Sequence, residues 1–260
     1  MTDSKFSQVN VLDHGFVKLL DVMGSDKDIV DAARISTYQN GVEKTELQDR
    51  RLINYLMKNE HTSPFEMAEF KFHVKLPIFV MRQWVRHRTA NINEMSGRYV
   101  ELKNEYYVPD NKRLLKQSES DVQGSSDEQL GYPKCSEIIN NMQLVDNIAF
   151  HNYDKFIEAG LARETSRIIL PLNTYTEMVW KIDLHNLFRF LKLRLDAHAQ
   201  YEIRVYAKAI ADMIKNVVPM SFSAFEEHIL YAKKFSYKEY ETLKKTILEK
   251  YPDADLKGII

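Results

Sequence analysis

A single compact domain that mixes β-strands with α-helices is the fold class this sequence predicts, and three observations predict it. A chain of 260 residues with 44% hydrophobic content buries a real core, and its size favours one domain with elaborations over two full domains. Residues 69–75 alternate, with Phe70, Phe72 and Val74 on one side and Lys71, His73 and Lys75 on the other, which is the period of a half-buried strand. Several later stretches repeat their apolar residues at helical spacing instead.

In chain order, residues 9–23 carry strand-like runs that end at Gly24, and DKDIVDAARIS has the spacing of a short helix. Thr45 and Gln48 form a capping box for a helix carrying Leu52, Ile53, Tyr55 and Leu56. Pro77 closes the alternating strand. The following IFVMRQWVRHR places Ile78, Met81 and Val85 on one helical seam and Gln83, Arg86 and His87 on another face. Residues 110–131, rich in Ser, Gln and charge, predict a mobile loop or insertion. From Ser136 to Ala159, Ile138, Ile139, Met142, Val145, Ala149 and Phe156 predict a core helix stopped by Gly160. TYTEMVWKI after Pro171 has strand composition. Asp183 then caps one long helix running to about Val218 before Pro219, with Leu184, Leu187, Leu191 and Leu195 as its seam. Ser236 and Glu239 cap a last helix whose lysine-rich face is solvated.

Composition excludes several classes. Charged residues are 28% of the chain and sum to a net charge of -1, so no global field gathers nucleic acid or anionic membrane, and any anion is held by a local cluster. MTDSKFSQVN lacks the basic and apolar parts of a signal peptide, and no eighteen apolar residues run together, which predicts a soluble cytoplasmic protein. The lone Cys135 rules out an intrachain disulfide and a thiolate-rich metal site, and its polar surroundings make it a bystander. The histidines are scattered without a zinc motif, and His198 with Glu202 is only an ordinary helical pair, so no metal is expected.

Chemistry concentrates in residues 82–99, RQWVRHRTANINEMSGRY. Arg82, Arg86, Arg88 and Arg98 face a single acid, Glu94, a balance suited to a phosphate or carboxylate ligand. Ser96 adds a hydroxyl and Gly97 an unobstructed backbone. Ser96 has no His or Asp at a spacing that would activate it, so phosphate binding suits it better than nucleophilic attack. Charge alone equally describes a solvated helix end with ordinary ion pairs. A second class of function, nucleic-acid binding, would use the same basic segment on backbone phosphates, with Trp84 and Tyr99 stacking on bases. The near-neutral chain and the lack of a recognised nucleic-acid motif weigh against it.

Arg86-His87-Arg88 followed after seven residues by Ser96 resembles the signature of flavin-dependent thymidylate synthases, and Asn93, Glu94, Gly97, Arg98 and Tyr99 extend the match. AARIS (32–36), HTSPFE (61–66), FHVKLPIFVMRQW (72–84), RIILPLN (167–173) and FLKLRLDAHAQYE (190–202) resemble the same family in the expected order. The resemblance runs from about residue 9 to 220. It implies a domain over 1–230 holding the 110–131 insertion, and a helical extension over 231–260.

The resemblance further implies an α/β (α+β) fold with a twisted mixed sheet flanked by helices, long C-terminal helices and a homotetramer with active sites between subunits. It implies reductive methylation of dUMP to dTMP, with FAD as hydride carrier, methylenetetrahydrofolate as carbon donor and NADPH as reductant. Gln83, Arg86, Glu94, Ser96, Gly97, Arg98, Arg167 and Arg194 are then expected at dUMP, and Ser63, Arg86, His87, Arg88, Glu94, Asp183, His185 and Arg189 at FAD. His61 is expected at the folate. Arg194 is the expected catalytic residue, because negative charge developing on the uracil needs a fixed guanidinium in a water-poor site. By position alone it is a helix-surface arginine, Asp183 an N-cap and Leu184 a core residue. Arg189, Asn91 and Ile92 depart from the family's usual residues, which touches the flavin edge and not the phosphate framework. The same phosphate cradle would also serve a flavoprotein acting on another pyrimidine nucleotide. The chain has no Rossmann glycine fingerprint, so arginines and inter-subunit loops would hold the flavin, and no site for NADPH is evident.

Overall fold

The computed structural model describes residues 8–36, 44–120 and 122–252. Its first hairpin joins β1 (Gln8–Val11) to β2 (Gly15–Met23), and Gly24, at φ +85°, turns the chain out of the sheet into α1 (Asp26–Ile35). Thr45 caps α2 (Glu46–Lys58) through the expected box with Gln48. A 3-10 turn over Ser63–Met67 leads into β3 (Glu69–Pro77), which runs straight into α3 (Ile78–Trp84). An edge strand, β4 (Asn91–Glu94), follows, and β7 (Tyr175–Asp183) enters between β3 and β4, so the sheet order is β1-β2-β3-β7-β4.

Every pairing in this sheet is antiparallel, which corrects the expectation of a mixed sheet. Antiparallel strands tolerate water on one face. Phe70, Phe72, Val74 and Leu76 of β3 and Met178, Trp180 and Ile182 of β7 are buried under the helices. The opposite face is polar and paired: Lys71 Nζ meets Asp21 at 3.4 Å, His73 Nε2 meets Glu177 at 2.8 Å and Lys181 Nζ meets Glu69 at 2.9 Å.

Four further expectations are corrected. The seam of α3 is Val80, Met81 and Trp84, while Val85 stays exposed, because the helix packs through its tryptophan. The 110–131 segment forms a hairpin, β5 (Leu115–Gln117) with β6 (Ser125–Gln129). Arg113 holds its base to the chain body with Nε 2.9 Å from the buried Glu202, so Glu202 points inward while His198 bonds Asp196. In α4 (Tyr132–Glu158) the buried side chains include Cys135, Phe150 and Tyr153, whereas of the expected seam Met142 and Val145 lie exposed, beside Leu144 and Ile148, and Ile138, Ile139, Ala149 and Phe156 are only half-buried.

After the short α5 (Arg163–Ser166), the expected single long helix is two: α6 (Leu184–Arg194), capped by Asp183, and α7 (Tyr201–Ile214). No Gly or Pro breaks it. Asp196 Oδ1 instead accepts the His198 backbone N–H at 2.8 Å, a local turn that competes with helix continuation. Beyond it come α8 (Pro219–Phe225), a wide π-type turn over Glu226–Leu230, and α9 (Tyr237–Lys250) with the expected Ser236–Glu239 cap.

Helix α7 lies so close to the first hairpin that only glycine fits there. A Cβ on Gly15 would stand 2.0 Å from the Tyr206 hydroxyl, which itself donates to the Lys75 carbonyl at 2.7 Å, and 2.6 Å from the Val11 carbonyl. Gly15→Ala is therefore expected to lower unfolding stability by about 3 kcal/mol, read from urea denaturation midpoints.

Candidate active site

Trp84 sets the position of the basic segment. Its indole packs edge-on to Trp180 at 5.1 Å and lies 4.7 Å from Phe190 and 6.1 Å from Tyr206, all buried. Helix α3 ends at that residue, and the Arg86 and His87 N–H groups close back on the Gln83 and Trp84 carbonyls at 3.4 and 3.0 Å. Residues 86–90 then cross to β4, the outer neighbour of β7. The segment that carries the signature is thus fixed at both ends.

His87 turns inward against Phe190, at 4.9 Å, and Arg194 at the end of α6 donates its Nε–H to His87 Nε2 at 3.0 Å. An Arg194 Nη2 hydrogen reaches the Gln83 carbonyl at 3.2 Å. Accepting from a guanidinium requires a neutral ring with its proton on Nδ1. Burial, with the Arg194 and Arg189 charges added, pushes the imidazole down to about 4. Burial also lowers the Arg194 pKa from its ordinary value. The Gln83 side chain meets Gln200 at the start of α7. Arg86 and Arg88 lie in the open and make no hydrogen bond or ion pair through their side chains with other described residues.

A second group surrounds the turn after β4. Glu94 Oε1 accepts from the Thr176 hydroxyl at 2.8 Å, the Ser96 hydroxyl oxygen accepts the Arg98 N–H at 3.3 Å, and Arg98 pairs with Glu164 at 3.0 Å in the open. Gly97 is buried, and a Cβ on it would stand 3.2 Å from Arg167 Cδ. A side chain there would push the Arg167 stem by a few tenths of an ångström. Among the described residues, Ser96 bonds neither a histidine nor an acid.

His61, His185 and Arg189 come together elsewhere, in the wall of a cavity of about 320 Å³ between the end of α2, α6 and the turn after α8. Ser63 opens the adjacent 3-10 turn, while Asp183 uses its carboxylate as a cap, Oδ1 accepting Asn186 N at 2.9 Å and Oδ2 accepting Asn186 Nδ2 at 2.8 Å. The sequence-predicted residues thus form three patches: the Gln83–His87–Arg194 unit, the 94–98 turn with Arg167, and the cavity. Sequence reasoning missed Thr176, Gln200 and Glu164, which orient predicted residues. It also missed Lys58, Lys192, His228 and Lys234 in the cavity wall. Gln200 and Lys192 lie within the family-like segment 190–202, and the others stand in no motif.

The class of protein is defined by likeness to a solved nucleotide-binding fold. The UMP/dUMP methylase PolB from Streptomyces cacaoi, in a structure bound with 5-Br dUMP, matches at TM-score 0.76 and 33% identity over 84% of this chain and 97% of its own. The same methylase bound with 5-Br UMP matches at TM-score 0.74 and 30% identity, over 86% of this chain and 99% of its own. The family model described as thymidylate synthase complementing protein matches residues 18–220. Flavin-dependent thymidylate synthases from Wolbachia pipientis wMel and Treponema denticola are 52% and 49% identical, covering 93% and 96% of this chain and 84% and 93% of their own lengths. One from Thermus thermophilus is 54% identical over 85% of this chain and 79% of its own. The chain belongs to this family, the flavin-dependent thymidylate synthases, enzymes that convert dUMP to dTMP.

Because folding lowers the His87 pKa, the unfolded chain takes up the proton first as pH falls. The group therefore costs no stability above about 6.5, and stability falls progressively between there and about 4. An NMR titration is expected to place the imidazole midpoint near 4, and Arg194→Gln is expected to move it upward.

Proposed function

We propose that this chain methylates dUMP reductively to dTMP, with methylenetetrahydrofolate as carbon donor, FAD as hydride carrier and NADPH as reductant. The observation that carries the site assignment is the Gln83–His87–Arg194 unit. Two of the Arg194 nitrogens are engaged inside the protein, on His87 Nε2 and the Gln83 carbonyl, so the guanidinium is held at a set angle with its remaining N–H groups available to an outside acceptor. The half-buried surroundings strengthen such a donor toward the negative charge that develops on the uracil ring. A neutral His87 leaves that guanidinium as the charged partner at the ring.

For the dUMP phosphate the reading assigns Ser96, Gly97, Arg98 and Arg167, with Arg86, Gln83 and Glu94 completing the cradle. The Arg98–Glu164 pair is exposed, so exchanging the carboxylate for a phosphate costs little. For FAD it assigns Ser63, Arg86, His87, Arg88, Glu94, Asp183, His185 and Arg189, and for the folate His61. The fit is physical: Arg86, Arg88 and Arg189 are solvent-accessible cations without side-chain partners among the described residues, suited to the phosphates of FAD. Bound FAD supplies the hydride that completes the methyl group. The protein contributes orientation and electrostatics.

The same reading places the family domain over 1–230, the helical extension over 231–260, and the enzyme in the cytoplasm; no helix among the described residues is long and apolar enough to cross a membrane. A homotetramer completes it, supported by the exposed Met142, Leu144, Val145 and Ile148 on α4, an apolar surface that a second chain would cover. Val145→Lys with Ile148→Lys is expected to yield a smaller species by light scattering.

Purified protein is expected to show a bound flavin spectrum that bleaches with NADPH under anaerobic conditions, faster with dUMP present. A colourless protein that takes up no FAD would overturn the reading. Arg194→Ala should keep the flavin and lose at least about a hundredfold in kcat, the scale for removing one charge-stabilising donor. Likeness to PolB makes UMP the control substrate, and the reading expects dUMP to be preferred.

A further inference from the structure

The cavity beside His61 has a wall that the family motifs do not account for. The family model ends at residue 220, whereas His228, Ile229 and Lys234 line this cavity from the chain beyond it. The wide turn over Glu226–Leu230 carries the first two, and the His228 ring is fixed to α2 by a 3.1 Å contact between Nε2 and Asn54 Oδ1. On the other side, α2 ends with the His61 N–H on the Leu56 carbonyl at 2.9 Å and the Glu60 N–H on the Met57 carbonyl at 3.2 Å. This termination needs a left-handed residue, normally glycine, and here Glu60 adopts it at φ +55°. A strained non-glycine position at the lip of a cavity is a feature of functional sites.

The lining chemistry is of two kinds. Met57, Phe65, Phe188 and Ile229 supply apolar surface. Lys58, Arg189, Lys192 and Lys234 supply four permanent cations against one carboxylate, Glu60. Several lysines elsewhere are paired, as Lys71 is with Asp21, Lys181 with Glu69 and Lys215 with Glu226. The four cations of the cavity have no side-chain hydrogen bond or ion pair among the described residues. Unpaired like charges gathered around an apolar recess repel one another and are relieved by an anion.

We infer that this cavity is a subsite for an aromatic ring joined to two or more anionic groups, with Lys58, Lys192 and Lys234 reading the charge. Resting on the proposed function, two co-substrates carry that chemistry: the p-aminobenzoyl-oligoglutamate arm of the folate and the 2′-phosphoadenosine end of NADPH. The folate arm fits the count of cations better, because its carboxylates are several and spaced along a chain. Each exposed pair adds a factor of roughly two to five, so binding strengthens with every added glutamate.

Calorimetry on the flavin-loaded protein, at about 50 mM salt where screening is weak, tests this with p-aminobenzoyl-monoglutamate, p-aminobenzoyl-pentaglutamate and adenosine 2′,5′-bisphosphate. The pentaglutamate is expected to bind about tenfold more tightly than the monoglutamate. Lys58→Ala/Lys192→Ala/Lys234→Ala is expected to erase that difference, while Lys244→Ala/Lys245→Ala on α9 preserves it. If the triple variant loses affinity for the bisphosphate instead, the same subsite serves the phosphate of NADPH. Equal binding by wild type and the triple variant, equal losses in both variants, or no binding by the wild type would each overturn the subsite. Turnover of dUMP is measured in parallel: a wild type that forms no dTMP sinks the proposed reaction, and the calorimetry still decides the cavity.

Discussion

The burial of Trp84 is the constraint on which the site depends. Its ring closes a cluster with Trp180, Phe190 and Tyr206, contributed by the sheet and by two helices, and so ties α3, α6 and α7 to one point. The signature arginines begin two residues later and inherit that placement. Aromatic packing of this kind contributes beyond the area it buries. The indole N–H groups of Trp84 and Trp180 are buried without hydrogen-bond partners among the described residues.

Electrostatics around that end follows from the same burial. His87 sits deep enough to lose its charge and is then able to accept from Arg194, so one neutral ring both shields and aims a guanidinium. The remaining arginines stay in water, where their charge is well solvated and free to meet a ligand. The same packing sets one half-buried cation, Arg194, beside the exposed cations Arg86 and Arg88.

How legible this was in the sequence depended on whether local chemistry or tertiary context decided the outcome. The alternation of β3, the caps at Thr45, Asp183 and Ser236, and the stop at Gly24 are local, and each reads directly. The break between α6 and α7 was hidden because an aspartate side chain makes it, with no Gly or Pro to mark it. The helical period of α4 was readable, but period says nothing of what covers an apolar face, and none of that seam is fully buried. Among site residues, the 86–98 cluster stood out by charge density and spacing. Gln200, Thr176 and the lysines of the cavity did not, because their relevance comes from partners more than eighty residues away or from a turn whose direction no motif encodes.

That separation along the chain bears on synthesis as well as on chemistry. Arg194 bonds a histidine 107 residues earlier, and β3 pairs with β7 across a comparable gap. A growing chain therefore emerges with its whole signature exposed long before the residues that shelter it exist. During that interval β3 has β2 on one side but lacks β7 and the helices that cover its phenylalanines and the indole of Trp84, which is when apolar segments seek the wrong neighbours. The lysines and histidine that alternate with those phenylalanines, ion-paired on the open face of the finished sheet, then act as guards: they interrupt the run of apolar side chains and keep the waiting strand in solution until β7 arrives.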